Sequence, residues 1–284
     1  MKKTTLYLYF CLFMFVFVSS GCSSQQAVDE DYPLVKLNST NAPEVFQEFL
    51  SYDLGGTLDA LDRHINQQKA TLEDSFFERP VSEDEWINKH QFSCSSQGSL
   101  AYTFSRNADE EEVWQFIDCS PVEGVEGSVT GRIKLVMTRP QDDENTESRE
   151  VDIKVESDQT QEFIRFLNQF ECDQDSSYCE SHFELVQRKT NLEGDLLQGF
   201  HGVFTGTLNR LEQSPSFEDI QVYLPDHQAW LKAEIQSPST LKLVGRSGWI
   251  SLEPDNEGLV VDSSWCDEAQ MTREEFMQGA YCPE

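Results

Sequence analysis

Leu241-Lys242-Leu243-Val244-Gly245-Arg246-Ser247-Gly248-Trp249-Ile250-Ser251-Leu252 decides the fold class of this chain. Two short runs, rich in β-formers and with apolar residues in alternate places, flank a four-residue turn that has glycine at both ends. A period of two is that of a strand with one face buried, and the glycines permit the reversal, so the stretch predicts an antiparallel hairpin. After Asp255-Asn256-Glu257 the run Gly258-Leu259-Val260-Val261 adds a strand beside it.

The same alternation recurs upstream. Leu100-Ala101-Tyr102-Thr103-Phe104 and Val113-Trp114-Gln115-Phe116-Ile117 flank the polar stretch 106–112 and predict a second hairpin. Residues 127–137 and 151–155 are the next strands, separated by the charged stretch 140–150. A further β stretch is expected over 183–262. Within these strands, Gly127-Ser128-Val129-Thr130-Gly131-Arg132-Ile133 is echoed by Gly202-Val203-Phe204-Thr205-Gly206-Thr207-Leu208, which suggests two related sheets.

Three segments carry a helical period instead. Over 42–74, Val45, Phe46, Phe49 and Leu50 precede Gly55-Gly56, and Leu58, Leu61, Ile65 and Leu72 follow on one side. Over 159–170, Asp158 and Gln161 have capping-box spacing and Phe163, Phe166, Leu167 and Phe170 fall at i, i+3, i+4 and i+7. At the end, Thr272 and Glu275 cap a short helix over 273–279. The expected fold is α+β, dominated by antiparallel sheet of meander or sandwich type. It has an N-terminal helical segment, a central helix and a short C-terminal helix. A body over 41–284 would then divide into halves 41–157 and 171–284, joined by the helix 158–170.

Composition narrows the partners. The 284 residues carry 51 acidic side chains against 21 basic ones, a net charge of −30. Such a chain lacks the cations that neutralise phosphates, which excludes nucleic acid and disfavours a polybasic grip on anionic lipid. Eleven per cent aromatic residues is too many for a disordered chain.

The N-terminus speaks of destination. Lys2 and Lys3 precede an apolar run of thirteen residues, 6–18, that is too short to span a bilayer as a helix. With the small residues after it, this is the layout of a secretory signal. The sequence Val18-Ser19-Ser20-Gly21-Cys22 resembles the lipobox of bacterial lipoproteins, with Ser19 where that family prefers an aliphatic residue. The resemblance implies that residues 1–21 are removed and that Cys22 is lipidated, carrying diacylglycerol and in many bacteria a third acyl chain such as palmitate. Ser23 resembles the signal for transfer to the outer membrane, facing the periplasm. Losing 1–21 deletes two lysines and no acid, so the net charge falls from −30 to −32. Residues 22–40 are polar and irregular and read as a lipidated flexible tether.

Six cysteines remain: Cys94, Cys119, Cys172, Cys179, Cys266 and Cys282. An even number in an exported chain favours disulfides, and sequence order suggests 94–119, 172–179 and 266–282 among fifteen pairings. No CxxC supports zinc.

Catalytic frames are absent. There is no HExxH, and Gly245-Arg246-Ser247-Gly248 fails the nucleophile-elbow pattern. His201, between Gly199 and Gly202, reads as an exposed loop histidine. Residues 173–184 imitate the ligand spacing of an EF-hand but place Tyr178 where the turn needs glycine, so no metal is expected. The acidic runs 109–112 and 142–144 read as solvated loop tips. No cofactor is expected. The reading that follows is a lipid-anchored envelope protein held to the membrane by its lipid, a non-enzymatic module that binds an envelope protein or polymer. The alternative is a carboxylate-dependent hydrolase of polysaccharide or peptide, which needs only two acids at the right separation.

Overall fold

A computed structural model of the chain describes residues 33–52, 56–73, 76–77, 87–106, 109–138, 145–172, 178–209, 213–237, 240–254 and 258–279. Among the described residues two helices, α1 (Ala42–Leu50) and α2 (Gly56–Lys69), come first. Fourteen strands follow: β1 (Ile87–Ser93), β2 (Gln97–Arg106), β3 (Asp109–Ser120), β4 (Ser128–Thr138), β5 (Asn145–Glu156), β6 (Thr160–Cys172) and β7 (Tyr178–Asn191), then β8 (Leu196–Asn209), β9 (Gln213–Leu224), β10 (Ala229–Ser237), β11 (Thr240–Gly245), β12 (Gly248–Pro254), β13 (Leu259–Ser263) and β14 (Ala269–Met271). A short helix α3 (Arg273–Met277) closes the described chain.

The strands form one sheet in strict sequence order, each antiparallel to the next. The expected α+β fold with a dominant antiparallel sheet is what the chain adopts. The hairpin read from 241–252 is β11–β12, with Gly245 opposite Gly248 at its turn. The second hairpin is β2–β3, with Tyr102 opposite Trp114. The expected caps of α3 are also present: Thr272 Oγ1 accepts from Glu275 N, while the Glu275 carboxylate accepts from Thr272 N.

A period of two sorts each strand onto an inner and an outer face. Neighbouring inner-face residues form one stripe across the sheet: Leu100, Phe116, Gly131, Ile153, Ile164, Gln187, Phe200, Val222 and Leu231. Helices α1 and α2 cover this face, since Val45, Phe46, Leu58, Leu61 and Ile65 share a core with Trp114, Phe116 and Ile133. Phe276 of α3 meets Phe46 edge to face at 5.6 Å. Each large side chain so buried contributes about 1.5–3 kcal/mol.

Charged contacts fix α2 along its length. Thr57 at its start donates to Glu162 of β6, Asp62 pairs with Arg149 of β5, and Lys69 at its end pairs with Glu112 of β3 at 2.6 Å. The helix therefore runs from β6 towards β3. Lys69 also suits the negative end of the helix dipole.

The central helix is corrected to strand β6. It is paired along its length with β5 and β7, so the two β stretches are one continuous sheet rather than halves joined by a helix. The apolar residues fit both periods, because Ile164 and Phe166 face the core while Leu167 is buried on the outer side. Two flanking ladders satisfy its backbone groups, which local propensity does not outweigh. The supposed capping box is a hairpin turn instead. Ser157 N donates to Thr160 O (2.9 Å), and Ser157 Oγ accepts from Thr160 N (3.0 Å). Asp158 and Gln159 are its tip.

Two other expectations change. Residues 33–37 are not tether: Val35 and Leu37 are buried, Val35 N donates to Trp230 O (2.7 Å) and Arg246 N donates to Val35 O (2.8 Å). The acidic run 109–112 opens strand β3 rather than tipping a loop, with Glu110 paired to Arg106, Glu111 to Lys134 and Glu112 buried against Lys69. The echoed motif falls in β4 and β8. Gly127, which opens the first copy just before β4, has φ +121° and a Cβ there would lie 2.3 Å from Glu156 O, whereas its counterpart Gly202 lacks a positive φ and a Cβ there would meet the Phe200 ring at 2.7 Å. The two copies are not conformational equivalents.

A meander also places alternate connections on the same rim. Those at 94–96, 121–127, 157–159, 192–195, 225–228, 246–247 and 264–268 share one rim. Pro33 stands there too, its carbonyl accepting from Trp230 N at the start of β10. The connections of the opposite rim lie outside the described residues.

Candidate functional site

Buried carboxylates are the groups to examine, because a charge out of water needs partners or a task. Three are buried in the described sheet: Glu112, Glu162 and Glu184.

Glu162 lies on the inner face under the first turn of α2. Gln187 Nε2 donates to its Oε1 (2.5 Å) and Thr57 Oγ1 donates to its Oε2 (3.1 Å). Tyr52 is close by, and burial followed by the Glu162 charge raises its phenol well above the ordinary value. Glu112 is held by Lys69, and Tyr102 beside it is raised by burial first and by the Glu112 charge second. These two acids anchor helix α2 to the sheet. Replacing Gln187 by Leu leaves Glu162 with one fewer donor and is expected to cost about 1.5–3 kcal/mol. Urea unfolding of Gln187→Leu checks this. The double variant Glu162→Leu/Gln187→Leu should recover much of the loss, since no buried charge remains.

Glu184 is different. It lies on the outer face of β7, and His201 of β8 lies one step along, opposite Val186. His201 Nε2 is 3.6 Å from Glu184 Oε1. Neither imidazole nitrogen nor that carboxylate oxygen has a hydrogen-bond partner among the described residues. Around them Leu167, Val186, Tyr223 and Trp230 are buried, yet they stand apart from the main core cluster. Gly199 makes room for the Trp230 ring: a Cβ there would lie 2.6 Å from Trp230 Cη2. The indole Nε1 is also without a partner among the described residues.

His201 is thus a mid-strand residue against a carboxylate, not a loop histidine. A glycine on either side at two- and one-residue spacing suggested a turn, but glycine in a strand also marks close approach, here by Trp230. Glu184 carried no signal of its own among 51 acids. Only the pairing of β7 with β8 brings it to His201.

Two partly exposed or enclosed acids acting as a hydrolytic pair would need to share one side of the sheet. Glu162 and Glu112 project from the inner face and Glu184 from the outer one, so the sheet separates Glu184 from the other two. Among the described residues, no group of three or more His, Cys, Asp or Glu is arranged to hold a metal ion. Of the EF-hand-like stretch, 173–177 lies outside the described residues, and 178–184 is strand β7 rather than loop.

The cysteines can be placed in part. Cys94 and Cys119 form a disulfide with Cα atoms 5.4 Å apart, joining the β1–β2 connection to the end of β3. Cys172 and Cys179 are backbone register partners in the β6–β7 pairing. Cys266 is disulfide-bonded, while Cys282 and the lipidation candidate Cys22 lie outside the described residues. None of the described helices is long and apolar enough to cross a membrane.

Comparison of the chain with protein-family models, with curated proteins and with solved structures finds no match.

Proposed function

We propose that the chain is a lipoprotein of the bacterial cell envelope, anchored through lipid on Cys22, whose acidic β-rich body binds an envelope protein or polymer. The observation that carries this reading is the charged start and apolar run ending in Ser20-Gly21-Cys22. The Cys94–Cys119 disulfide supports it, because such bonds persist in oxidising compartments outside the cytosol. Two or three acyl chains on one residue suffice for stable anchoring without a spanning helix. Ser23 favours the outer membrane, with the body in the periplasm.

The test is metabolic labelling with a palmitate analogue, followed by membrane fractionation of the native chain and of Cys22→Ser. The native chain should take up label and sediment with membranes, and the variant should do neither. A variant that stays membrane-bound contradicts the reading.

The His201–Glu184 contact favours a second reading, a hydrolase using an imidazole with a carboxylate. Crosslinking in intact envelopes separates the two. A binding module yields a defined adduct that survives His201→Gln, whereas a hydrolase loses turnover of its polymer in that variant.

A further inference from the structure

We propose that strand β1 pairs antiparallel with β1 of a second copy of this chain, across a twofold axis at His90. The pairing asks nothing of Cys22 and goes beyond the lipoprotein reading.

The two ends of the sheet differ. Among the described residues β1 is paired with β2 alone and β14 with β13 alone. Strand β14 is three residues long and lies between the acids Asp267 and Glu268 and the acids Glu274 and Glu275. Strand β1 is seven residues long, and no residue from 87 to 106 is Asp or Glu, in a chain that has 51 of them. An open edge of that length is a template for another strand.

Its open side follows residue by residue from the hairpin. Cys94 N donates to Gly98 O (3.2 Å) in the register of the β1–β2 pair. Backbone groups alternate in direction along an antiparallel strand, so Phe92, His90 and Asn88 direct theirs to β2. Ser93, Gln91, Lys89 and Ile87 direct theirs outward. A twofold axis at His90 sets Lys89 opposite Gln91 of the second copy, and Ile87 opposite Ser93 of the second copy. All four outward residues then exchange hydrogen bonds, and no lysine or acid opposes its like. Ile87, 53% exposed, gains a neighbour.

Charge favours this occupant. Two bodies of net charge −30 repel, but exposed charges are screened beyond about 8–10 Å. The acids of β3 would stand five strand spacings from their counterparts, about 24 Å, because β2 and β1 of both copies intervene. The acids at 83–85 precede β1, and antiparallel pairing carries their two copies to opposite ends of it. The contact also closes on itself, since β1 is used in both copies, and a dimer results rather than a filament.

The full-length chain is compared with His90→Cys, Gln270→Cys and Gln91→Pro. At the axis the two copies of residue 90 form a non-hydrogen-bonded pair with Cα atoms about 4.5 Å apart, within reach of a disulfide. Mild oxidation in intact envelopes should therefore link His90→Cys into a covalent dimer. The native chain and Gln270→Cys, on β14, should stay monomeric on a non-reducing gel. Gln91→Pro removes an outward N–H and leaves the β1–β2 bonds in place. In sedimentation equilibrium with density-matched detergent, the native chain should be a dimer. Gln91→Pro should raise its dissociation constant about tenfold or more with an unchanged circular dichroism spectrum. A monomeric native chain overturns the inference. So does a dimer that neither crosslinks through His90→Cys nor weakens with Gln91→Pro, and so does crosslinking through Gln270→Cys in its place.

Discussion

Raising the pH above about 10 is expected to unfold the body, with a slope that approaches about 2.7 kcal/mol per pH unit. The cause is the pair Tyr52 and Tyr102. Burial, with the Glu162 charge beside one and the Glu112 charge beside the other, raises both phenols above their ordinary value. A raised folded-state value means that the native protein keeps two protons that the unfolded chain releases. The stability from this difference is fully present below the unfolded value near 10 and is lost as the pH rises above it. Urea unfolding at pH 9, 10 and 11 measures the slope. The double variant Tyr52→Phe/Tyr102→Phe should lose stability less steeply. At neutral pH the Tyr52→Phe change should cost little, because that hydroxyl has no hydrogen-bond partner among the described residues, whereas Tyr102→Phe also removes a hydroxyl that interacts with the Glu112 carboxylate. Identical alkaline slopes in both proteins would contradict this account.

Breaking the Cys94–Cys119 bond is the second large effect. The bond closes a loop of 25 residues, and the chain-entropy model assigns such a closure about 3.5 kcal/mol. It lies where β3 departs from regular pairing: the register shifts between Phe116 and Cys119, and Asp118 has φ +48°. The bond holds this irregular end of β3 beside the start of β2. Cys94→Ser/Cys119→Ala is expected to lower the urea midpoint by the equivalent of about 3 kcal/mol with little change in slope. A loss below about 1 kcal/mol would show that the β2–β3 ladder alone fixes the loop.

The parts of the fold that the sequence discloses are those with one apolar face. Strands β2, β3, β11 and β12 alternate cleanly because their outer faces meet water, and α1 and α2 keep a helical stripe because one side packs on the sheet. Strand β6 defeats such a reading. Apolar residues on both faces erase the alternation, and Phe163, Phe166, Leu167 and Phe170 then match a helix equally well. What distinguishes the two is pairing with β5 and β7, residues whose alignment no local pattern encodes. Residues 33–37 mislead for a related reason, since their burial depends on β10 and on the β11–β12 turn roughly two hundred positions away. The cysteine inventory anticipated the 94–119 bond because order alone suggested it. The Glu184–His201 contact was invisible, since one acid among many becomes distinctive only when the neighbouring strand sets a histidine against it in a buried place.

A lipid on Cys22, as proposed, would join these observations into one account: a disulfide-bonded, acidic sheet held at a membrane. Intact-mass analysis of the mature protein extracted from membranes tests it most directly. The account predicts a chain that begins at Cys22 and carries the added mass of diacylglycerol, with or without a third acyl group. A chain that retains residues 1–21, or that begins at an unmodified residue, would contradict it.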